Sequence, residues 1–283
     1  MTRDKNKLIG VIIVFLIGFS VIVYPLISRT YYDFQGSQEV QDYEEELSKI
    51  TAAEVEKQLQ SAYAYNNALL TGENSPLGDP YNKEEKEQGV LDYVKLLEIS
   101  GKIGTLTIPK IKTTFPVYAG TSEAVLQKGV GHMEGTSLPI GGLNTHSILT
   151  AHRGLPENKL FTDLDKLALK DLFFIKTIAG ELAYKVIEVK VIEPTEIGEL
   201  SIQKDKDLIT LLTCTPYMIN SHRLLVIGER TEVPDNVQEK ETAISWWDHL
   251  ISLLGGYIWI VLIVILLIVF FIIKKIRIAK GRD

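Results

Sequence analysis

The stretch Leu208-Ile209-Thr210-Leu211-Leu212-Thr213-Cys214-Thr215-Pro216 decides how this chain is read. Its first six residues are apolar or threonine, the composition of a β-strand. Pro216 has no backbone N–H to donate and ends any ladder there. Cys214 therefore stands at the mouth of a strand, and it is the single cysteine of the chain. One thiol cannot close an intramolecular disulfide and is too few for a cysteine-rich metal site. Two readings stay open: a small buried hydrophobe, or a nucleophile displayed on a rigid element.

Working outward, short β-rich runs surround it: Ile103–Ile108, Phe115–Tyr118, Ser147–Ala151, Leu172–Ile178, Tyr184–Ile192 and Leu224–Gly228. Turns rich in Gly, Pro and Asn separate them, as in Pro139-Ile140-Gly141-Gly142-Leu143-Asn144. Seven or eight strands without regular intervening helices predict a mainly β barrel or sandwich. Within Tyr184–Val191, strict alternation puts Tyr184, Val186 and Glu188 on one face, which then gives way to an apolar run. Thr162–Leu169 is the candidate for an inserted short helix, with Thr162 as its cap.

Before the barrel, residues 29–71 read as helical. Val40, Tyr43, Leu47 and Ile50 recur at helical spacing between acidic residues. Thr51 and Glu54 form a capping-box signature that separates one helix from the next. Residues 72–88, with the turn signal Gly78-Asp79-Pro80 followed by Tyr81, read as a loop.

Both ends are apolar. Leu8–Ile27, within a predicted segment 8–28, is uncharged and about long enough to cross a bilayer. Its basic head also fits a signal peptide, but no small-x-small site closes it, which favours an uncleaved anchor. A second uncharged run spans 250–273, with Trp246, Trp247, Tyr257 and Trp259 near its start. The tails 1–7 and 274–283 carry eight basic and two acidic side chains, against 30 and 36 in the whole chain. The rest keeps 22 basic and 34 acidic residues, a net charge of −12. Basic flanks stay inside, so both termini are expected in the cytoplasm and the acidic middle outside. An acidic domain of this kind is a poor nucleic-acid binder. Residues 89–235 would be the barrel domain and 236–249 a tether to the second span.

Of five histidines, His152 alone ends a β-rich run ahead of a Gly/Pro loop, the same kind of position as Cys214. A thiol is mostly protonated near neutral pH, so a nucleophilic cysteine usually needs a base or cation nearby. His132 sits in a glycine-rich turn, where a local hydrogen-bonding role is expected. His222 and Arg223 are adjacent, so if they share a strand one must point away. Arg223 opens an apolar strand, and its planar donor fork could hold a carbonyl or a developing oxyanion. No CxxC or HxxxH spacing suggests a metal, and no cofactor is expected.

Thr213-Cys214 with Arg223 nine residues on, preceded by His152 in Thr150-Ala151-His152-Arg153-Gly154, resembles the sortases, cysteine transpeptidases of Gram-positive surfaces. The resemblance extends through Gly129-Val130-Gly131-His132 and covers about residues 100–230. It implies an eight-stranded sortase-type β-barrel with Cys214, His152 and Arg223 as catalytic residues. Asp79-Pro80-Tyr81, the helical region and the second apolar run are similar to the pilus-building class C members. That implies a lid, with Asp79 paired to Arg223 and Tyr81 covering Cys214. It also implies a monomer that takes pilins bearing LPxTG-like sorting signals. Two alternatives stay open: a sortase joining proteins to a peptidoglycan amine, and a non-catalytic membrane scaffold for pilins.

Overall fold

The structure, a computed structural model, describes residues 2–70, 96–155 and 158–234. The chain divides into two compact units, Tyr31–Val237 and Met1–Thr30 with Gln238–Asp283. Two helices open the chain, α1 (Thr2–Lys49) and α2 (Ala52–Leu70). Among the described residues, one helical stretch, beginning at Ile13 in α1, is long and apolar enough to cross a membrane. The apolar run 250–273 lies outside the described residues, as does the proposed lid at Asp79, Pro80 and Tyr81.

The break between α1 and α2 falls where the capping box places it. The Thr51 amide and hydroxyl donate to Glu54 Oε2 (3.0 and 2.7 Å), and the Glu54 amide donates back to Thr51 Oγ1 (3.3 Å). These bonds satisfy amides that a helix start leaves open.

Eight strands follow: β1 (Gly104–Ile108), β2 (Thr113–Ala119), β3 (Val130–His132), β4 (Thr145–Thr150), β5 (Leu172–Thr177), β6 (Gly180–Ile192), β7 (Asp207–Thr215) and β8 (His222–Thr231). They close a barrel in the order β1-β2-β3-β4-β7-β8-β6-β5. The β2–β3 and β4–β7 pairs are parallel and the others antiparallel.

The apolar run of β7 has a direct cause. Ile209 and Leu211 join the main core with Leu149, Phe173, Tyr184 and Val226. Leu208 and Leu212, of opposite parity, join a second cluster with Ile148, Leu225 and Ile227. Ile197 and Leu200, from the 3₁₀ segment Pro194–Leu200, complete that cluster. The strand is thus buried on both faces, which removes the usual polar alternation.

Three local expectations are corrected. The glycine-rich segment ending at His132 is strand β3, not a flexible turn. A Cβ on Gly131 would collide with the Gly120 carbonyl oxygen, so glycine there permits close strand approach. The inserted helix is a 3₁₀ segment, Leu160–Lys166, and Thr162 does not cap it: its hydroxyl donates back to the Lys159 carbonyl. In β6 the simple alternation fails, because a bulge shifts the register between Val186, opposite Gly228, and Glu188, opposite Ile227. The extra residue turns Glu188 outward while Tyr184 and Val186 stay buried.

The helices dock through polar anchors as well as apolar ones. Tyr43 and Ala62 are fully buried in the main core. Asn66 forms a clasp on the Leu138 backbone, donating to its carbonyl (3.2 Å) and accepting from its amide (2.7 Å). The nearly buried Lys102 ammonium meets Glu39 of α1 at 2.5 Å, and Lys176 meets Glu44 at 2.8 Å.

Candidate active site

The barrel order makes β7 the neighbour of both β4 and β8, so one strand sets the positions of three candidate residues. In the antiparallel β7–β8 ladder, Cys214 is directly opposite Arg223. Residues opposite each other share a face, with Cβ atoms about 5 Å apart. In the parallel β4–β7 ladder, the last pair is Thr150 with Leu212. Two residues further along each chain come His152 and Cys214.

Parity puts all three on one side. Cys214 continues the alternation of Leu208 and Leu212, Arg223 that of Leu225 and Ile227, and His152 that of Ile148. The side chains therefore emerge where the second apolar cluster ends, at the carboxyl ends of β4 and β7 and the start of β8.

Cys214 is buried, keeping 7% of its surface, and Arg223 keeps 6%. Arg223 Nη1 donates to the carbonyls of Asn220 (3.1 Å) and His222 (3.0 Å), bonds that fold the guanidinium over its own turn. His222 takes the opposite direction, as alternation requires. Its ring lies 3.0 Å from Glu193 Oε1 and 2.8 Å from the Ser221 hydroxyl. The peptide bond between Thr215 and Pro216 is cis.

His152 has a carboxylate neighbour that sequence reading missed. Its Nε2 is 3.4 Å from Glu123 Oε1, at the start of the short helix α3 (Glu123–Leu126). Gln127 donates to the same oxygen at 3.0 Å. The segment entering α3 is tied down by Glu134, which accepts from the Thr121 amide (3.0 Å) and hydroxyl (2.8 Å). The carbonyl of His152 accepts from the Phe161 amide at 3.1 Å. The contact between Glu123 and His152 joins residues far apart in the chain and leaves no periodic signal.

Two further histidines are buried and serve structure. His132 Nε2 lies 2.9 Å from the Ser137 carbonyl and 3.1 Å from Thr136 Oγ1, and complete burial holds its pKa down at about 4. His146 bridges the Ser201 carbonyl (3.0 Å) and the Thr210 hydroxyl (2.7 Å), and burial lowers its pKa as well.

A thiol, an imidazole and a guanidinium on one side of a closed eight-stranded barrel suit acyl transfer through a thioester. Residues 106–231 match the sortase domain family. The chain is 46% identical to the solved structure of sortase C1 of group B Streptococcus pilus island 1, covering 70% of this chain and 93% of that one at a TM-score of 0.64. It belongs to the sortase family. A Streptococcus pneumoniae sortase C is 44% identical, covering 69% of this chain and 96% of that one, with a TM-score of 0.64. Sortase D of Bacillus subtilis is 28% identical over 130 residues, which span 45% of this chain and 63% of that protein. This sortase is accordingly a cysteine transpeptidase, and its barrel is the family's fold.

Proposed function

We propose that this sortase polymerises pilins at the outer surface of the cell membrane, with Cys214 as nucleophile, His152 as acid and base, and Arg223 as the oxyanion or substrate clamp. The observation that carries this reading is the cross-strand pairing of Cys214 with Arg223, and it is supported by His152 following two residues after Thr150, whose partner Leu212 precedes Cys214 by the same two. The relatives support the pilus assignment, since one is named for a pilus island and another for its pilin substrate specificity.

In this reaction the Cys214 thiolate adds to the Thr–Gly carbonyl of an LPxTG-like sorting signal. Arg223 offsets the charge developing on the carbonyl oxygen. His152 protonates the departing amine as the peptide bond breaks, which leaves a thioacyl enzyme. A pilin lysine amine then attacks the thioester and His152 accepts its proton. The products are an isopeptide bond, the restored thiolate and the protonated His152. Asp79, Pro80 and Tyr81 form a lid over this site, Asp79 facing Arg223 and Tyr81 covering Cys214. The segments 8–28 and 250–273 span the membrane, which holds the enzyme near substrates that are themselves anchored there.

The test is incubation of the detergent-solubilised chain with a candidate pilin, followed by mass spectrometry of the product. The expected result is a ladder of lysine-linked pilins that Cys214→Ala abolishes, while His152→Ala and Arg223→Ala each slow it at least ~100-fold. Transfer to a peptidoglycan amine with no ladder would assign wall anchoring instead. Polymer formed by Cys214→Ala would reduce the protein to a scaffold. Replacing Asp79 and Tyr81 together by Ala should speed alkylation of Cys214, and an unchanged rate removes the lid.

A further inference from the structure

The residues proposed to react lie two positions beyond the last β4–β7 register pair, Thr150 with Leu212. A backbone bond there runs from the Ala151 amide to the Leu212 carbonyl (3.3 Å). Side chains add further links. The Thr213 hydroxyl donates to the Ala151 carbonyl at 2.7 Å, and Arg153 Nη1 donates to the Thr215 hydroxyl. His152 therefore lies between two cross-links, at Ala151 and Arg153. Cys214 lies between the same two on the opposite strand, at Thr213 and Thr215.

Arg153 is built for this place. Its side chain is only 9% exposed, and its second arm, Nη2, donates to Asp165 Oδ2 at 2.5 Å. Asp165 belongs to the 3₁₀ segment Leu160–Lys166, whose Phe161 amide holds the His152 carbonyl. The next residue, Gly154, has φ +85°, and a Cβ there would collide with the Thr162 hydroxyl of the same segment. One guanidinium thus ties three pieces of chain together: the end of β4, the end of β7 and the 3₁₀ segment. A planar fork can hold two partners in fixed directions, which a lysine ammonium cannot do.

We propose that Arg153 is a positioning residue for the transpeptidation, acting with Asp165 and Thr215 as a brace that fixes the separation of His152 from Cys214. This rests on the assignment of His152 and Cys214 as base and nucleophile. The partners of the Arg153 guanidinium are the Thr215 hydroxyl and the Asp165 carboxylate, neither of them a reacting group. Arg153 ties the two strand ends to each other on the far side of His152 and Cys214 from the Thr213–Ala151 bond. Proton transfer demands hydrogen-bond reach, and a misplacement of about 1 Å costs on the order of 100-fold in rate.

The experiment measures kcat and KM for transfer of a fluorogenic sorting-signal peptide to an amine, together with the melting temperature, using the full chain in detergent. Arg153→Ala should lower kcat by about 100-fold and leave KM nearly unchanged. Arg153→Lys should stay nearer to the alanine variant than to the parent. Thr215→Val should lower kcat while Thr215→Ser restores it. Arg153→Ala combined with Thr215→Val should be no slower than Arg153→Ala alone by more than about two-fold, since both changes break one link. If Arg153→Ala does not fold, the Thr215 pair decides.

A raised KM with unchanged kcat would make Arg153 a substrate-binding residue and overturn the brace. So would full additivity with Thr215→Val, or a loss of kcat matched by an equal loss of folded protein. Cys214→Ala and His152→Ala separate the two levels. If either stays active, the catalytic assignment fails; if both are inactive while the Arg153 and Thr215 variants turn over normally, the brace alone fails.

Discussion

His132 shows how a single buried side chain ties stability to pH. Its pKa is about 4 in the folded protein, because burial penalises the charged ring, against about 6.5 when the chain is unfolded. Between those values the unfolded state binds more protons, so stability rises with pH across the window. The contribution is whole above about pH 6.5 and is lost as pH falls through 4, amounting to about 3 kcal/mol. His146 is shifted in the same direction by the same cause. The melting temperature should therefore fall between pH 7 and pH 4.5. His132→Gln should lose less over that interval than the parent, because it has no ring to charge; parallel curves for the two would reject the assignment. The same scale explains what sequence could and could not give at the site. Cys214, His152 and Arg223 each end or open an apolar strand, so their placement was legible from one-dimensional pattern. Arg153 stands in the quoted motif, but nothing local marks its role, since its partner Thr215 is 62 residues away. Glu123 is likewise joined to His152 only by the fold.

At the scale of elements, α2 is secured at both ends by different devices, and they should fail by different amounts. Thr51 caps an exposed helix start, so Thr51→Ala should cost about 1 kcal/mol. Asn66 is buried and satisfies both the amide and the carbonyl of Leu138. Asn66→Ala strands those groups, at about 1–3 kcal/mol for each one left unsatisfied. Thermal unfolding should thus rank Asn66→Ala well below Thr51→Ala; equal melting temperatures would mean that α2 is held by apolar contact alone. Most strands were legible because each is a run of β-branched or aromatic residues closed by turn formers. The exception is β3, whose three residues include a glycine required by the Gly120 carbonyl. Close approach and flexibility both select glycine, so composition could not separate them. The bulge in β6 escaped for a related reason: one extra residue reverses the faces without changing composition. Thr162 misled because a Thr-x-x-Asp pattern fits a cap equally well as it fits the interior of a 3₁₀ turn.

For the molecule as a whole, the distribution of charge makes a prediction that barrel geometry cannot. The tails hold eight basic and two acidic residues, while the remaining chain has a net charge of −12. Lys and Arg flanking a span are retained in the cytoplasm, and acidic residues contribute little to that bias. Segment 8–28 is preceded by Arg3, Lys5 and Lys7, and segment 250–273 is followed by Lys274, Lys275, Arg277, Lys280 and Arg282. Both flanks favour the same side, so the two proposed spans would satisfy the bias together only if the intervening domain is translocated. The two spans would then hold the acidic domain, and Cys214 with it, outside. A chain tagged at both ends should remain in the membrane pellet after carbonate extraction. Protease added to spheroplasts should destroy the central domain and leave both tags protected. A reagent that cannot cross membranes should label Cys214 in intact spheroplasts once Asp79 and Tyr81 are replaced by Ala. A C-terminal tag digested from outside would place the second apolar run differently. It would also remove the proposed second anchor, leaving the proposed N-terminal span alone to hold the enzyme at the membrane.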